Sequence, residues 1–95
     1  MKVRWLRVAL QNLNDEAKYI AEENPQMAKI VVQRIERAVK SLSEQPAIGR
    51  PGKVYGTREL VVPNTRYIIP YRVKDNVLEI LRVFYTSRKL PNSWS

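Results

Sequence analysis

Apolar residues recur at steps of three and four positions in the first half of the chain, which is the spacing of an amphipathic helix. The first such stripe consists of Leu10, Leu13, Ala17 and Ile20. This helix should end near Glu23, because Asn24 and Pro25 suit the N-cap and first turn of a second helix. Proline's missing N–H would have no helical partner at that position in any case.

The second apolar stripe consists of Ala28, Val31, Ile35, Ala38 and Leu42. It predicts a longer helix, and the two helices together predict a hairpin over residues about 10–44. The apolar face of this hairpin needs a partner, and the remaining apolar runs lie in the second half of the chain. We therefore expect Val31, Ile35 and Leu42 to be buried against a sheet.

The second half contains three runs rich in Val, Ile, Leu and Tyr, namely Thr57–Val62, Arg66–Val73 and Val77–Tyr85. Turn-forming residues at 63–65 and 74–76 separate them, so the segment of about 57–85 is predicted to be a three-stranded antiparallel meander. Pro70 cannot donate a hydrogen bond to a neighbouring strand, which predicts either an exposed edge or a bulge beside it.

The segments around these elements complete the predicted architecture. A short run with Val3, Trp5 and Val8 predicts a first strand, and residues 45–54, with two Pro and two Gly, predict a loop. The order β-α-α-β-β-β predicts an α+β fold, with the helical hairpin packed on one face of a small twisted antiparallel sheet. We expect one domain of residues 1–95 that ends in a basic C-terminal loop, residues 86–95.

Charge and composition narrow the possible functions. The 95 residues carry a formal net charge of +8 and include no Cys and no His. Residues 46–95 hold nine Lys and Arg against three Asp and Glu, so the positive excess is C-terminal and favours an anionic partner. Without Cys and His the usual zinc sites are excluded, and we expect no metal and no cofactor. No apolar run is long enough to span a membrane, so we expect a soluble, cytoplasmic protein without a membrane partner.

Three segments of the chain are similar to a known family. They are YIAEENP at 19–25, IGRPGKVYGTRELVVPNTRYIIPYRV at 48–73 and VLEILRVFYTSRKLP at 77–91. Together with the order of predicted elements, they make the chain resemble the RelE/ParE superfamily of bacterial toxins from type II toxin-antitoxin modules. The resemblance covers almost the whole chain, and the ParE-like branch is the closer of the two.

The resemblance implies a growth-inhibiting toxin, of the kind found in plasmid stabilisation systems, that a cognate antitoxin holds inactive. We expect that antitoxin to be small, acidic and partly disordered, so that it folds on binding. ParE-like members poison DNA gyrase, whereas RelE-like members cleave messenger RNA on the ribosome. We favour gyrase as the target, with a ribosome-dependent endoribonuclease as the alternative. The sequence leaves open whether the protein is an enzyme.

The residue inventory bears on the nuclease alternative. RNA cleavage by a 2′-hydroxyl needs groups that exchange protons near neutral pH, usually His, and this chain has none. Arg88 matches an arginine that RelE-like nucleases carry after the last strand, and Arg58 lies near another of their basic positions. Trp94 falls where such enzymes place a Tyr or His, and an indole stacks on a base but transfers no proton. If the protein is a nuclease, its catalytic candidates are Arg58, Arg88 and Lys89.

Eight residues are candidates for binding the target: Arg50, Lys53, Arg58, Arg66, Arg82, Arg88, Lys89 and Trp94. Arg88 and Lys89 are the first choice, because they lie beyond the last strand in a loop, and loops carry function more often than strands do. Arg58 also has a structural interpretation, in which it pairs with Glu59 or Glu79 of a neighbouring strand.

A third interpretation is a non-enzymatic nucleic-acid-binding module, in which exposed aromatic side chains stack on bases between arginines. The aromatic candidates are Tyr67, Tyr71 and Tyr85. Aromatic residues that alternate along strands are more typical of a core, which favours a structural role for these three.

Overall fold

The two predicted helices form a hairpin in the computed structural model, which describes residues 1–95. Helix α1 spans Arg7–Glu23 and helix α2 spans Pro25–Glu44. Asn24 lies between them, and its side-chain oxygen accepts a hydrogen bond from the N–H of Met27 at 3.1 Å, as an N-cap does. Neither helix is both long and apolar enough to cross a membrane.

The strands are β1 Lys2–Trp5, β2 Arg50–Pro51, β3 Arg58–Val61, β4 Tyr67–Lys74, β5 Val77–Ile80 and β6 Phe84–Tyr85. Their order in the sheet is β1-β5-β4-β3-β2, and β6 also pairs with β4. The antiparallel pairs of β4 with β3 and β5 are the predicted meander. Strand β1 adds a parallel pair with β5, so the α+β fold is confirmed and its sheet is mixed rather than wholly antiparallel. Strand β2 lies within the predicted loop.

A bulge interrupts the last predicted strand beside Pro70. Ile80 pairs with Tyr71 and Phe84 pairs with Ile68, so three residues of one strand face two of β4. The carbonyl of Pro70 accepts a hydrogen bond from the N–H of Leu81 at 2.9 Å. The N and C=O of a strand residue point to the same side, so the missing N–H of proline also faces the bulge, where no ladder bond is required. The second of the two predicted outcomes for Pro70 is the observed one.

The core lies between the helices and one face of the sheet, which we call the inner face. All five residues of the α2 stripe are buried, as predicted, and Ile35 and Leu42 are fully enclosed. From the sheet, Tyr67, Ile69 and Tyr71 of β4 join the same cluster of thirteen buried side chains. The structural interpretation of the strand tyrosines therefore holds for Tyr67 and Tyr71, and Tyr85 packs partly buried against the cluster.

Two details of α1 differ from the prediction. The helix begins at Arg7, so Val8 belongs to it and not to the first strand, because Leu6 ends the pairing of β1 with a hydrogen bond to the carbonyl of Ile80 at 3.0 Å. Leu10 was placed on the apolar stripe but is 47% exposed, whereas Ala9 is fully buried. The buried side of α1 is therefore rotated by about one residue from the predicted stripe.

Candidate functional site

The outer face of the sheet, opposite the helices, carries two buried acids that are already paired. Glu59 accepts hydrogen bonds from Arg50 Nε at 3.2 Å and from the N–H of Lys53 at 3.0 Å. Glu79 accepts one from Arg72 Nε at 2.7 Å, and this hydrogen bond holds the pKa of Glu79 below its usual value. Both acids thus serve to anchor basic side chains. No group of three or more His, Cys, Asp or Glu side chains is close enough together to hold a metal ion.

Three of the predicted site residues hold the C-terminal tail, which we define as residues 86–95. Lys53 Nζ donates a hydrogen bond to the carbonyl of Leu90 at 2.9 Å. Arg82 donates to the carbonyl of Trp94. The indole of Trp94 packs edge-on against Phe84 with ring centroids 5.4 Å apart. Lys53, Arg82 and Trp94 therefore position the tail on the outer face, a structural role that the sequence did not indicate.

A second group of side chains joins the start of the tail to helix α1. Tyr67 donates its hydroxyl to Glu16 Oε1 at 3.2 Å, and Arg88 Nη2 lies 3.7 Å from the same oxygen. The guanidinium of Arg88 lies 6.0 Å above the centroid of the Tyr85 ring, which itself packs on Tyr67 at 5.3 Å. Burial raises the pKa of Tyr67 far above its usual value, and the neighbouring Glu16 carboxylate adds to the effect. The phenol consequently remains a hydrogen-bond donor well above neutral pH.

Glu16 is a residue that the sequence analysis missed. The signal was present, because Glu16 lies three residues after Leu13 and four before Ile20, on the half-buried side of α1. An acid within an apolar stripe indicates a charge with a partner in the folded protein. What the pattern could not reveal is that the partners are Tyr67 and Arg88, which are distant along the chain.

Three predicted residues lie in backbone segments that are neighbours at one end of the sheet, and we call Arg66, Arg88 and Lys89 the basic end. The carbonyl of Arg66 accepts a hydrogen bond from the N–H of Thr86 at 2.8 Å, which places Arg66 beside the first residues of the tail. The side chains of Arg66 and Lys89 make no hydrogen bond or ion pair, and the Arg88 side chain is 63% exposed despite its contact with Glu16. Three exposed cations at one end can bind carboxylates or phosphates of a partner.

Arg58 lies elsewhere, on the inner side of β3 and opposite Tyr71. Its Nη1 donates to the carbonyl of Gly49 at 2.8 Å, so its partner is neither Glu59 nor Glu79. Tyr71 holds the same loop, because its hydroxyl accepts from the N–H of Gly49 at 2.9 Å. Tyr71 is four residues from Tyr67, or about 13 Å along β4, and this separates Arg58 from the Arg88 group.

Comparisons with known proteins find relatives that match almost the whole chain. A family model described as the ParE toxin of the type II toxin-antitoxin system, parDE, matches residues 3–90. Putative toxin Y4kP of Sinorhizobium fredii is 44% identical over 90 residues, which cover 95% of this chain and 93% of that protein. Toxin RelE2 of Caulobacter vibrioides is 32% identical over 87 residues, which cover 92% of this chain and 97% of that protein.

A solved structure also matches the fold. A chain from the chromosomal ParDE TA system of P. aeruginosa superposes with a TM-score of 0.82 at 31% sequence identity. The match covers 90% of this chain and 95% of the solved one.

Proposed function

This chain belongs to the ParE toxin family of type II toxin-antitoxin systems, and we propose that it inhibits growth by binding and poisoning DNA gyrase. The observation that carries the proposal is the family match over residues 3–90, since inhibition of gyrase is the activity of the ParE-like branch that the sequence resembles. A type II toxin has an antitoxin partner, and we propose that this partner is small, acidic and partly disordered.

The chemistry of the site supports binding rather than catalysis. The chain has no His, and burial and Glu16 raise the pKa of the Tyr67 hydroxyl still further from neutral than that of an ordinary tyrosine. Such a phenol can donate a hydrogen bond but is a poor general base. Trp94, at the position where RelE-like nucleases place a Tyr or His, packs against Phe84. A toxin that acts by occupying a surface of its target needs none of these groups for proton transfer.

We propose that the basic end, Arg66, Arg88 and Lys89, contacts the target. Arg66 and Lys89 have no partner within the chain, so their full charge is available to an anionic surface. Arg50, Lys53, Arg58, Arg82 and Trp94 are the other candidates, and most of them already hold the tail or a loop. We propose for these residues a supporting role, in which they fix the shape of the surface. Because gyrase acts on bacterial DNA inside the cell, the proposal also implies a cytoplasmic location.

The alternative is a RelE-like, ribosome-dependent endoribonuclease, and one observation favours it. A relative that is 32% identical over 92% of this chain bears the name Toxin RelE2. In that case Arg58, Arg88 and Lys89 would act on the messenger RNA. The separation of Arg58 from Arg88 along β4 weighs against a single active site that uses both.

Purified toxin separates the two functions directly. In a supercoiling assay with gyrase and plasmid DNA but no ribosome, we expect inhibition, and we expect the antitoxin to relieve it. In a translation extract we expect no cleavage of messenger RNA in the ribosomal A site. Unaffected supercoiling at excess toxin, together with codon-spaced cleavage in the extract, would overturn the gyrase proposal in favour of the nuclease.

A further inference from the structure

The two neighbouring cations in the tail, Arg88 and Lys89, are held differently. Lys89 is exposed, and its side chain makes no hydrogen bond or ion pair. Arg88 lies between two side chains of other elements: the Glu16 carboxylate is 3.7 Å from its Nη2, and the centroid of the Tyr85 ring is 6.0 Å from its guanidinium carbon. Of the two cations, only Arg88 therefore has a defined side-chain direction in the free protein.

The backbone that carries Arg88 is also fixed. The N–H of Arg88 donates to the carbonyl of Tyr85 at 3.0 Å, which closes a turn at the start of the tail. Just before this turn, the N–H of Val83 donates to Asn12 Oδ1 at 3.2 Å. Asn12 lies one helical turn before Glu16, so the two side chains share a face of α1. This face of α1 therefore holds both the backbone of the segment and the side chain of its arginine.

The negative charge of Glu16 needs an explanation of its own. The side chain is only 13% exposed, and a charge removed from water to this extent is costly unless it is paired. Its Oε1 accepts the hydroxyl of Tyr67 at 3.2 Å, but the amide oxygen of a glutamine would accept the same hydrogen bond without a charge. The hydrogen bond to Tyr67 therefore does not account for the carboxylate. The cation in contact with it is Arg88.

The contact with Glu16 leaves Arg88 available to a partner. The distance of 3.7 Å is longer than a hydrogen bond, and it involves only Nη2. The side chain of Arg88 is 63% exposed and donates no hydrogen bond within the chain, so the remaining N–H groups of the guanidinium are free. These groups can bind a carboxylate or a phosphate in the paired geometry that arginine favours. Glu16 thus orients the guanidinium without occupying it.

We propose that Glu16 is a positioning residue, whose carboxylate, together with the Tyr85 ring, holds the Arg88 guanidinium in the orientation that meets an anionic group of the target. The inference rests on the proposed function, in which Arg88 contacts the target. An arginine side chain loses rotamer freedom when it is immobilised at an interface, and a side chain that is already restricted in the free protein loses less. Glu16 therefore raises the affinity for the target without touching it.

Glu16→Gln tests the proposal, because it keeps an acceptor for the Tyr67 hydroxyl and removes the charge. Half-inhibition of gyrase supercoiling should require about tenfold more of this variant than of the wild-type toxin. Asp15→Asn makes the same change of net charge at the adjacent, exposed position and should inhibit within about twofold of the wild type. Added positive charge by itself strengthens attraction to an anionic surface, so the expected loss has the opposite sign from a general charge effect. Circular dichroism verifies that both variants are folded.

A double-mutant cycle separates positioning of Arg88 from a general structural role of Glu16. In the Arg88→Ala toxin, Glu16→Gln should cause no further loss of inhibition, whereas in the Lys89→Ala toxin it should still cost about tenfold. Equal losses in the two backgrounds would show that Glu16 acts on something other than Arg88 and would overturn the proposal. Unchanged or stronger inhibition by Glu16→Gln alone would also overturn it, because the carboxylate would then compete with the target for Arg88.

Side-chain ¹⁵N relaxation measures the positioning without any target. The order parameter of the Arg88 Nε–H bond in the free toxin should fall in Glu16→Gln and stay unchanged in Asp15→Asn. An equal order parameter in wild type and Glu16→Gln would contradict the positioning role and leave the gyrase proposal intact. If the wild-type toxin fails to inhibit gyrase, the proposed target is wrong, and growth arrest on expression of the same variants then serves as the readout of the cycle and decides the role of Glu16.

Discussion

The two faces of β4 are made of alternate residues of one strand, yet they are covered in different ways. Toward the helices, Tyr67, Ile69 and Tyr71 belong to the main core. On the outer face, Ile68 and Pro70 are buried outside that core, and the strand continues with the exposed Arg72 and Lys74. The helical hairpin covers the first face with apolar side chains.

The outer face is held by different forces. Ion pairs to Glu59 and Glu79 and the hydrogen bonds of Lys53 and Arg82 organise its charges and hold the tail. The acids of these ion pairs are buried, so the cost of removing them from water offsets much of the Coulombic gain, whereas apolar burial contributes much. We infer that the inner face supplies most of the free energy of folding and that the outer face and tail arrange charge for binding.

The largest effect should come from the inner face. Ile35→Ala should lower the free energy of unfolding by about 2–5 kcal/mol, because it leaves a cavity in a fully enclosed site. Urea denaturation followed by circular dichroism measures the loss. Val8→Ala, at an exposed position on the other helix, should change stability by less than about 0.5 kcal/mol. An unchanged urea midpoint for a soluble Ile35→Ala variant would contradict the inference that the inner face supplies most of the free energy of folding.

A smaller effect is expected where the tail packs on the outer face. Trp94→Ala removes the edge-on contact with Phe84 and should cost about 1–2 kcal/mol, measured by thermal unfolding. Trp94→Phe keeps an aromatic ring and should recover most of the loss. A cost equal to that of Ile35→Ala would mean that the outer face is a second core.

Tyr67→Phe tests the polar link between the faces and should cost about 1 kcal/mol, since it removes the hydrogen bond to Glu16. The raised pKa of Tyr67 means that the folded state prefers the neutral phenol. Its contribution is therefore complete below the ordinary tyrosine pKa of 10.0 and declines as the pH rises beyond it. The stability difference between wild type and Tyr67→Phe should be constant below about pH 10 and shrink above it.

Urea titrations at several pH values measure this difference. Tyr19→Phe, at an exposed position on α1, is the matched control and should show neither the cost nor the pH dependence. A difference between wild type and Tyr67→Phe that grows above pH 10 would contradict the assigned environment of the phenol.

The smallest effect on stability should accompany the largest effect on toxicity. Arg88→Ala/Lys89→Ala removes one long ion pair, 3.7 Å between the exposed Arg88 guanidinium and Glu16, which keeps its hydrogen bond from Tyr67. The free energy of unfolding should change by less than about 1 kcal/mol. If the basic end contacts the target, the variant should no longer arrest growth when expressed, while it still binds the antitoxin.

Lys18→Ala/Lys29→Ala removes two exposed helix charges and should leave toxicity unchanged. Full toxicity of the Arg88→Ala/Lys89→Ala variant would move the functional surface to Arg66 alone, to Arg58 or to the Arg50–Lys53 loop.

Local patterns in the sequence were sufficient to predict most of the fold. The spacing of Val31, Ile35 and Leu42 follows from the 3.6-residue turn of a helix, and these residues are buried as predicted. Asn64, Asp75 and Asn76 adopt positive φ, which fits the turns predicted at those positions. The face of α1 was less well predicted, because Ala9 packs inside and Leu10 stays half exposed. The sizes of the residues and the angle at which α1 packs decide which side of the helix is buried. The spacing of apolar residues along the chain contains no information on either.

The sequence by itself determined the helices, the meander, the C-terminal excess of charge and the family resemblance, because each depends on residues close together along the chain. Only the tertiary structure decided which charged side chains have a partner within the fold and which do not. Glu16 meets Tyr67 and Arg88, Lys53 holds the tail, and β1 joins β5 from the opposite end of the chain. These contacts join segments far apart in sequence, and it is the packing of the whole fold that brings them together.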